Sequence, residues 1–391
     1  MKQESTWSEA IFCFVFFSLL SPLLVFSFFF KNKITMKIIP GLSKLSKLSK
    51  LSKLSGLSGL SGRRRHTVTP TRSLRQCYEK AEHILRSSRD LCLTISQARS
   101  ETKTLASFCL LHPPQDSTTS NTTTVLLTKD ELNAVTVNEK QYCSFLELVQ
   151  RRAKAEPMSY LTNEQEFWSL LLHVNQDTLI PRPDTETLMD SMLTFVSKRR
   201  SDNDDADATS LKLLDLYTGA GPLIVAALTE LPHSSGVAID VSPGAVSVAR
   251  RNAVRHEVNE RVSFLIQDLH DPLWCLPPDS LFDVVFANPP YIPFNDIQHL
   301  MRDVKDYEPN LALVGGGADG MDPYRCLAAS VCDRRLQLSN SDAVLIMEVG
   351  QDQDEEVVHI FEKGANMRLR EVRKDLSGIA RSVVMSLKEK K

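Results

Sequence analysis

The sequence lacks the spacings that hold metals or staple small domains. Its eight cysteines contain no C-x-x-C pair, and no two histidines stand at zinc-ligand spacing. Neither a metal centre nor a disulfide framework is expected, and the cysteines read as thiols in a reducing compartment. A strong charge excess is also missing. The formal net charge of −2 over 391 residues argues against a chain that coats nucleic acid, while leaving room for a local basic patch. Acidic residues are absent from Met36 to Tyr78, where Lys37, Lys44, Lys47, Lys50, Lys53, Arg63, Arg64, Arg65, Arg72 and Arg75 fall among many serines. A basic, serine-rich, acid-free segment has the make-up of an organelle transit peptide. Its three-residue repeat from Leu42 to Gly62 slips against the helical turn, so no long amphipathic face persists, and a low-complexity tail is an overlapping reading. One long apolar run stands out, Ile11 to Phe30, near the roughly 20 residues a membrane helix needs. It reads as a signal sequence or signal anchor, or as an upstream extension, since Met36 offers a second start. Residues 1–71 are therefore expected to be a leader.

What remains is globular, with 42% apolar and 24% charged residues. Residues 72–160 predict a small helical N-terminal domain. Leu74, Tyr78, Ala81, Ile84 and Leu85 keep i, i+3, i+4 spacing. Further helical stretches span 91–111, 129–132 and 139–155, around a Thr/Ser/Pro loop at 113–124 that includes the sequon Asn121-Thr122-Thr123. Residues 161–186 form a β-like linker from Glu166-Phe167-Trp168 to Pro181-Arg182-Pro183-Asp184-Thr185-Glu186. There Thr185 or Asp184 can cap a helix over 186–197. An acidic polar loop fills 201–210. Strand and helix then alternate regularly to the C-terminus, where 368–373 and 381–387 close as a hairpin. Residues 187–391 are thus an α/β domain with a doubly wound, mostly parallel sheet.

The strand ends carry the chemistry. The first leads from Asp215 through Tyr217-Thr218-Gly219-Ala220-Gly221 into a helix, and glycines there let backbone approach a ligand at the helix amino end. The third glycine of the dinucleotide fingerprint is missing. The second strand ends in Asp240, a carboxylate suited to the two hydroxyls of a ribose. Asp268-Leu269 follow the third and can bracket an adenine with a polar and an apolar group. The fourth, Phe282 to Ala287, runs into Asn288-Pro289-Pro290-Tyr291. Its two prolines cannot donate ladder bonds and end the strand. Each element alone has a bland reading as a cap, a surface carboxylate or a turn. Together they point to an adenosine-type ligand.

These residues resemble the HemK/PrmC family of peptide-chain release factor N5-glutamine methyltransferases, over roughly residues 81–387 with gaps at the two polar loops. Asn288-Pro289-Pro290-Tyr291 is shared with enzymes that methylate amino groups of DNA and RNA. More specific are Ile180 to Glu186, Tyr307-Glu308-Pro309 through Gly316, Asp319 to Arg325, Glu348-Val349-Gly350 and Asp375 to Arg381. The resemblance implies the class I S-adenosylmethionine-dependent methyltransferase fold, with a seven-stranded sheet and a C-terminal antiparallel hairpin, preceded by the helical domain that helps dock the release factor. It implies S-adenosylmethionine as methyl donor and the glutamine of a Gly-Gly-Gln loop as acceptor. Asp215 and Tyr217 to Gly221 would line the donor's methionine side and Asp240 would hold its ribose. Asp268 and Leu269 would flank its adenine. Asn288, Pro289, Pro290 and Tyr291 would hold the target amide, with Asn288, Pro289 and Tyr291 as the catalytic set.

One departure matters. The family usually has Gly where this chain has Tyr217. Its ring must point away, weaken the donor or mark lost activity. Ala220 for Ser and Asn163 for Gly are milder changes. Two other readings stay open: an amino-group methyltransferase of adenine or guanine, and a non-catalytic protein that binds donor or release factor. The first needs a basic track for phosphates, and the catalytic half shows no dense Lys/Arg run. The expected protein is a monomer with no stable nucleic acid and no membrane for its mature domain. It would work in a mitochondrion, with a plastid as the alternative.

Overall fold

The computed structural model describes residues 71–111, 133–202, 210–276 and 279–389. The expectations for the apolar segment 11–30, the basic segment 36–70, the loop 113–124 and the helix 129–132 lie outside these residues, as does most of the acidic loop.

Three helices open the described chain: α1 (Leu74–Ser87), α2 (Ile95–Ala106) and α3 (Glu139–Ala153). Each begins with a capping box, Ser73 with Gln76, Thr94 with Gln97 and Asn138 with Gln141. The reciprocal bonds satisfy helix donors that would otherwise be orphaned. Leu74, Cys77, Ala81 and Leu85 of α1 meet Ala98, Leu105, Phe145 and Val149 in a shared core. The helical pattern read from residue 72 starts two residues late, because Arg72–Ser73 (β1) pair with Thr136–Val137 (β2).

A short helix α4 (Met158–Thr162) ends on Asn163 at φ 56°, a left-handed position that Asn tolerates. Next comes a hairpin of β3 (Glu164–Phe167) and β4 (Leu170–His173). Trp168 and Ser169 turn it with φ of 52° and 58°, the two-residue turn that usually takes Asn-Gly. Trp168 is held there by its N–H to Glu186 at 2.8 Å and its indole N–H to Glu230 at 2.8 Å. A 3-10 turn, Pro183–Thr185, then runs straight into α5 (Glu186–Asp202). Thr185 is thereby not used as the helix cap expected from the sequence. Its side chain reaches Asn288 instead.

The main sheet holds β5 (Lys212–Leu216), β6 (Ser235–Asp240), β7 (Val262–Ile266), β8 (Val284–Ala287), β9 (Val344–Glu348), β10 (Met367–Lys374) and β11 (Ala380–Leu387). Their order is β10-β11-β9-β8-β5-β6-β7. The five strands from β9 to β7 are parallel, and the β10–β11 hairpin is antiparallel. Between them lie α6 (Pro222–Glu230), α7 (Pro243–Arg255), α8 (Arg302–Lys305), α9 (Asp322–Cys332) and α10 (Asp354–Gly364).

Successive side chains of a strand point to opposite faces. Val284 and Phe286 of β8 accordingly join one core, with residues of α5, α6 and α7. Val285 and Ala287 join the other, with residues of α9 and α10. All four are fully buried, which is why this strand reads as a continuous apolar run. The ladder begins at Val284, two residues later than expected, because Phe282 makes an isolated bridge to Leu338. The helical part joins this half through polar contacts: Tyr307 Oη to the Lys154 carbonyl at 2.9 Å, Tyr160 Oη to the Thr178 carbonyl at 2.6 Å, and an Arg302–Asp90 ion pair.

Candidate active site

β5 and β8 are neighbours, yet the chain proceeds from β5 to β6 and β7 on one side and from β8 to β9 on the other. Such a switch of direction opens a crevice at the carboxyl ends of the strands, where sheets of this kind take ligands. A cleft of about 190 Å³ lies there. Asp215, Tyr217, Thr218, Gly219, Ala220, Asp240, Asn288 and Pro290 line it. Its walls come from the stretch between Gln176 and Thr185 and from Pro309, Leu311 and Ala312.

Five residues singled out by sequence do not line the cleft. Gly221 is the cap of α6, at φ 79°. Leu269 is buried in the apolar cluster beyond Tyr217, and Asp268 accepts the His270 N–H at 2.9 Å. Pro289 is buried. Tyr291 turns down and donates its hydroxyl to Glu348 at 3.2 Å.

Two carboxylates face the ligand space. Asp240 accepts the Gly219 N–H at 2.8 Å on Oδ2 and the Ser242 N–H at 2.9 Å on Oδ1. Burial raises its pKa and these N–H groups pull against that rise. Each oxygen keeps a further lone pair, so vicinal hydroxyls can still be received. Asp215 is buried under the loop. Its Oδ2 accepts from the Thr218 hydroxyl at 2.7 Å and the Ile224 N–H at 3.3 Å. Its Oδ1 is buried without a hydrogen-bond partner, and burial pushes the carboxyl up to about 7. An acceptor left unpaired beside a cleft fits a cationic amine.

Asn288 leaves β8 with its Nδ2 3.5 Å from the Thr185 Oγ1. The loop behind it is packed tightly. Ile292 is bridged to the 313–315 segment through its N–H to the Leu313 carbonyl and the Gly315 N–H to its own carbonyl, both at 3.0 Å. A Cβ at Gly320 would stand 2.3 Å from the Tyr291 carbonyl oxygen, so only glycine permits that approach. The two cleft walls are tied by Glu308, which is almost wholly buried. It accepts the Ile180 N–H at 3.1 Å and pairs with Arg182 at 2.5 Å. Among the described residues, no group of three or more His, Cys, Asp or Glu is placed to hold a metal.

A methyltransferase-domain family model matches residues 207–320. A release factor glutamine methyltransferase of Rhodospirillum rubrum is 38% identical over 260 residues, covering 66% of this chain and 72% of its own. Enzymes of the same name from Caulobacter vibrioides (35% identical, 62% of this chain and 77% of theirs) and Geobacter sulfurreducens (37%, 58% and 72%) are also similar. This chain belongs to the release factor glutamine methyltransferase family.

Within that family Tyr217 is the residue to explain. It sits at φ 61°, a left-handed conformation that costs a bulky L-residue roughly 1–2 kcal/mol and a glycine nothing. Its ring packs on the cluster that holds Leu269 and Tyr324. Its hydroxyl is buried without a partner. Burial raises its pKa most, and the nearby Cys326, Asp268 and Asp240 raise it further. Tyr217 thus adjoins both the cleft and the apolar cluster that holds Leu269. At about 190 Å³ the open space is below the roughly 300 Å³ lower bound of small-molecule sites.

Sequence reasoning gave no site role to Thr185, Arg182, Glu308 and Glu348, although all four stand in the quoted motifs. Thr185 and Arg182 sat in the quoted linker motif, but nothing in their spacing says that a linker folds over a cleft. Glu348 did carry a signal. It ends β9 as Asp240 ends β6, a lone carboxylate closing an apolar strand.

Proposed function

We propose that this protein transfers a methyl group from S-adenosylmethionine to the side-chain amide nitrogen (N5) of the glutamine in the Gly-Gly-Gln motif of a class I peptide-chain release factor. The observation that carries the reading is Asn288, held at the carboxyl end of β8 with its Nδ2 toward Thr185 and its side chain lining the cleft. Membership of the family supports it.

The residues present fit the donor at two points. The unpaired Asp215 Oδ1 suits its ammonium group, and Asp240 suits its ribose. S-Adenosylmethionine bound there supplies an electrophilic methyl. A carboxamide nitrogen is a poor nucleophile because its lone pair is delocalised into the carbonyl, so the protein's contribution is positioning. Asn288 Oδ1 accepts an N–H bond of the glutamine amide, which helps to aim the nitrogen lone pair into the cleft. The prolines fix φ and stiffen the loop that presents this acceptor. An N-methylated amide cation is strongly acidic and releases its proton to water, so no general base is assigned.

The test is labelled methyl transfer to a recombinant organellar release factor. The expected label sits on the motif glutamine and is lost when that glutamine or Asn288 is changed to Ala. Label on RNA or DNA instead would replace this reading with the nucleic-acid one. Donor binding with no transfer to either would favour a binding protein, the reading that Tyr217 supports. The acid-free basic stretch after Met36 supports work in a mitochondrion, with a plastid as the other destination. The N-terminal sequence of the mature protein separates these from retention of residues 11–30.

A further inference from the structure

The loop that presents Asn288 cannot be pinned through its own N–H groups at Pro289 and Pro290, because proline has none. The contact of the Asn288 side chain with the Thr185 hydroxyl is 3.5 Å long, the outer limit of a hydrogen bond. Placing Asn288 therefore falls to the backbone that follows it, and the next residue there with groups to hold is Tyr291.

Tyr291 is held at both ends. Its hydroxyl donates to Glu348 Oε1 at 3.2 Å. Its carbonyl accepts from Gln353 Nε2 at 3.0 Å, while Gln353 Oε1 accepts the Gly350 N–H at 2.9 Å. The neighbours fix which way this carboxamide points, because a backbone N–H only donates and a carbonyl only accepts. The reach comes from the turn between β9 and α10. There the Gln353 N–H bonds back to the Gly350 carbonyl at 3.2 Å, and Asp352 takes a φ of 62°. Residue 350 has no room for a side chain: a Cβ would stand 2.6 Å from Gln353 Oε1 and 3.0 Å from the Tyr291 ring. Across the loop, a Cβ at Gly315 would stand 2.8 Å from the Pro290 carbonyl oxygen, so the backbone is packed closely on that side too.

We propose that Gln353 is a positioning residue for the transfer: its carboxamide ties the Tyr291 carbonyl to the turn after β9, and through the two prolines it sets where Asn288 presents its Oδ1. The prolines fix φ at both intervening positions, so a shift of the Tyr291 carbonyl is passed on to Asn288 and not absorbed between them. Tyr291, with its hydroxyl on Glu348, is the second point of the same anchor. Gln353 is 62 residues from Tyr291 in the chain and does not line the cleft, so its loss should slow transfer and leave the hold on the donor as it is. The proposal rests on the amide-transfer reading above.

The test uses the full-length protein and a release-factor substrate. Methylation of the Gly-Gly-Gln glutamine by the wild type is measured first, and its absence overturns the functional reading and this proposal with it. Given transfer, Gln353→Met keeps the length and loses both bonds. It is expected to lower the single-turnover rate about 10²-fold, with donor Kd, read by calorimetry, changed by less than about twofold. Gln353→Glu keeps an acceptor for the Gly350 N–H and sets a second acceptor against the Tyr291 carbonyl, so it should be equally slow. The exposed neighbour Gln351 is the control, and Gln351→Ala should transfer at the wild-type rate. Tyr291→Phe retains the carbonyl anchor and should lose less than Gln353→Met. In donor-free protein, the side-chain amide resonance of Asn288 should move in Gln353→Met, while the Gly219 amide, bonded to Asp240, should stay in place. A wild-type rate in both Gln353 variants, a loss shared equally with donor affinity, an unmoved Asn288 resonance, or a larger loss in Tyr291→Phe would each overturn the proposal while leaving the functional reading intact. If Gln353→Met does not fold, Gln353→Glu decides on the same measurements.

Discussion

The two ends of the cleft are built on opposite terms. Around Asn288, polar side chains are mostly partnered, Asn288 with Thr185, Tyr291 with Glu348 and Tyr324 with the Glu348 carbonyl, while Glu348 Oε2 is buried without a partner. Around Tyr217, a phenol hydroxyl is buried with no partner on a left-handed backbone. Local conflicts of this kind are expected where function, not stability, chose the residue. The first end is organised to orient one amide. The second carries strain and fills space. The comparison separates what this chain needs for transfer from what limits its hold on the donor.

Asn288→Ala breaks the organised end most directly. It removes the side-chain acceptor and leaves Thr185 facing a void, with no change to Asp215 or Asp240. Transfer is expected to fall by about 10²-fold or more with donor affinity unchanged, read as a split between single-turnover rate and calorimetric Kd. Equal losses in both would mean that Asn288 serves the donor and that the two ends are not separate.

The two ends also differ in how a ligand should change their charge. Asp215 and Glu348 are both buried carboxyls raised to about 7. A carboxyl whose folded pKa lies above its unfolded value stabilises the fold fully below the ordinary carboxylate range. That contribution is lost as pH rises through about 7. Donor-free protein should therefore lose about 2–3 kcal/mol per carboxyl, on the order of 5 kcal/mol for the two, between about pH 5 and 8, measured by urea midpoints. A cationic donor amine paired with Asp215 should recover part of that loss, whereas nothing in the donor reaches Glu348. Glu348→Gln should remove the remaining slope. A slope untouched by donor would argue against Asp215 as the ammonium partner.

How much of this was legible follows from which residues speak locally. Asp215, Asp240 and Asn288 lie at or next to the carboxyl ends of apolar strands, and a strand end in a parallel sheet is a defined place. Their convergence was readable once the strand and helix alternation was read. Helix α7 starts with Pro at N1 and strand β7 is a largely apolar run bounded by polar residues, and both are local signals of the alternation. Thr185 and Glu308 were not readable in this way. Thr185 lies 103 residues from Asn288 and Glu308 lies 126 from Arg182, and only the folded backbone brings them together. Of the two caps expected, Thr185 or Asp184, the Thr185 alternative failed for the same reason. A threonine before a helix is locally a cap, and here a tertiary partner claims it. Tyr217 was legible as a departure, but the direction of its ring was not, since a side chain's exit is set by the φ of its own residue.

Tyr217 gives the sharpest tests of the strained end. Replacing it with Gly removes a ring that adjoins both the cleft and the cluster of Leu269 and places there the one residue at ease with φ near 61°. Donor affinity is expected to tighten about tenfold, worth roughly 1.4 kcal/mol, as the space of the ring is freed. The fold loses the ring's packing in the same step, so the gain must be read as donor Kd and not as thermal stability. Unchanged or weaker donor binding in Tyr217→Gly would mean that the ring is part of the donor's seat and not an obstruction. Tyr217→Phe isolates the smaller term. It keeps the ring, its packing and its backbone strain, and removes only a hydroxyl that is buried without a partner. A buried unsatisfied group costs about 1–3 kcal/mol, and part of that is offset by the dispersion contacts the oxygen makes. Tyr217→Phe should therefore stabilise the donor-free protein by about 1 kcal/mol in urea unfolding and leave donor Kd as it is. If it instead weakens donor binding, the hydroxyl bonds the donor, and its lack of a partner in the free protein is a position held open for that bond.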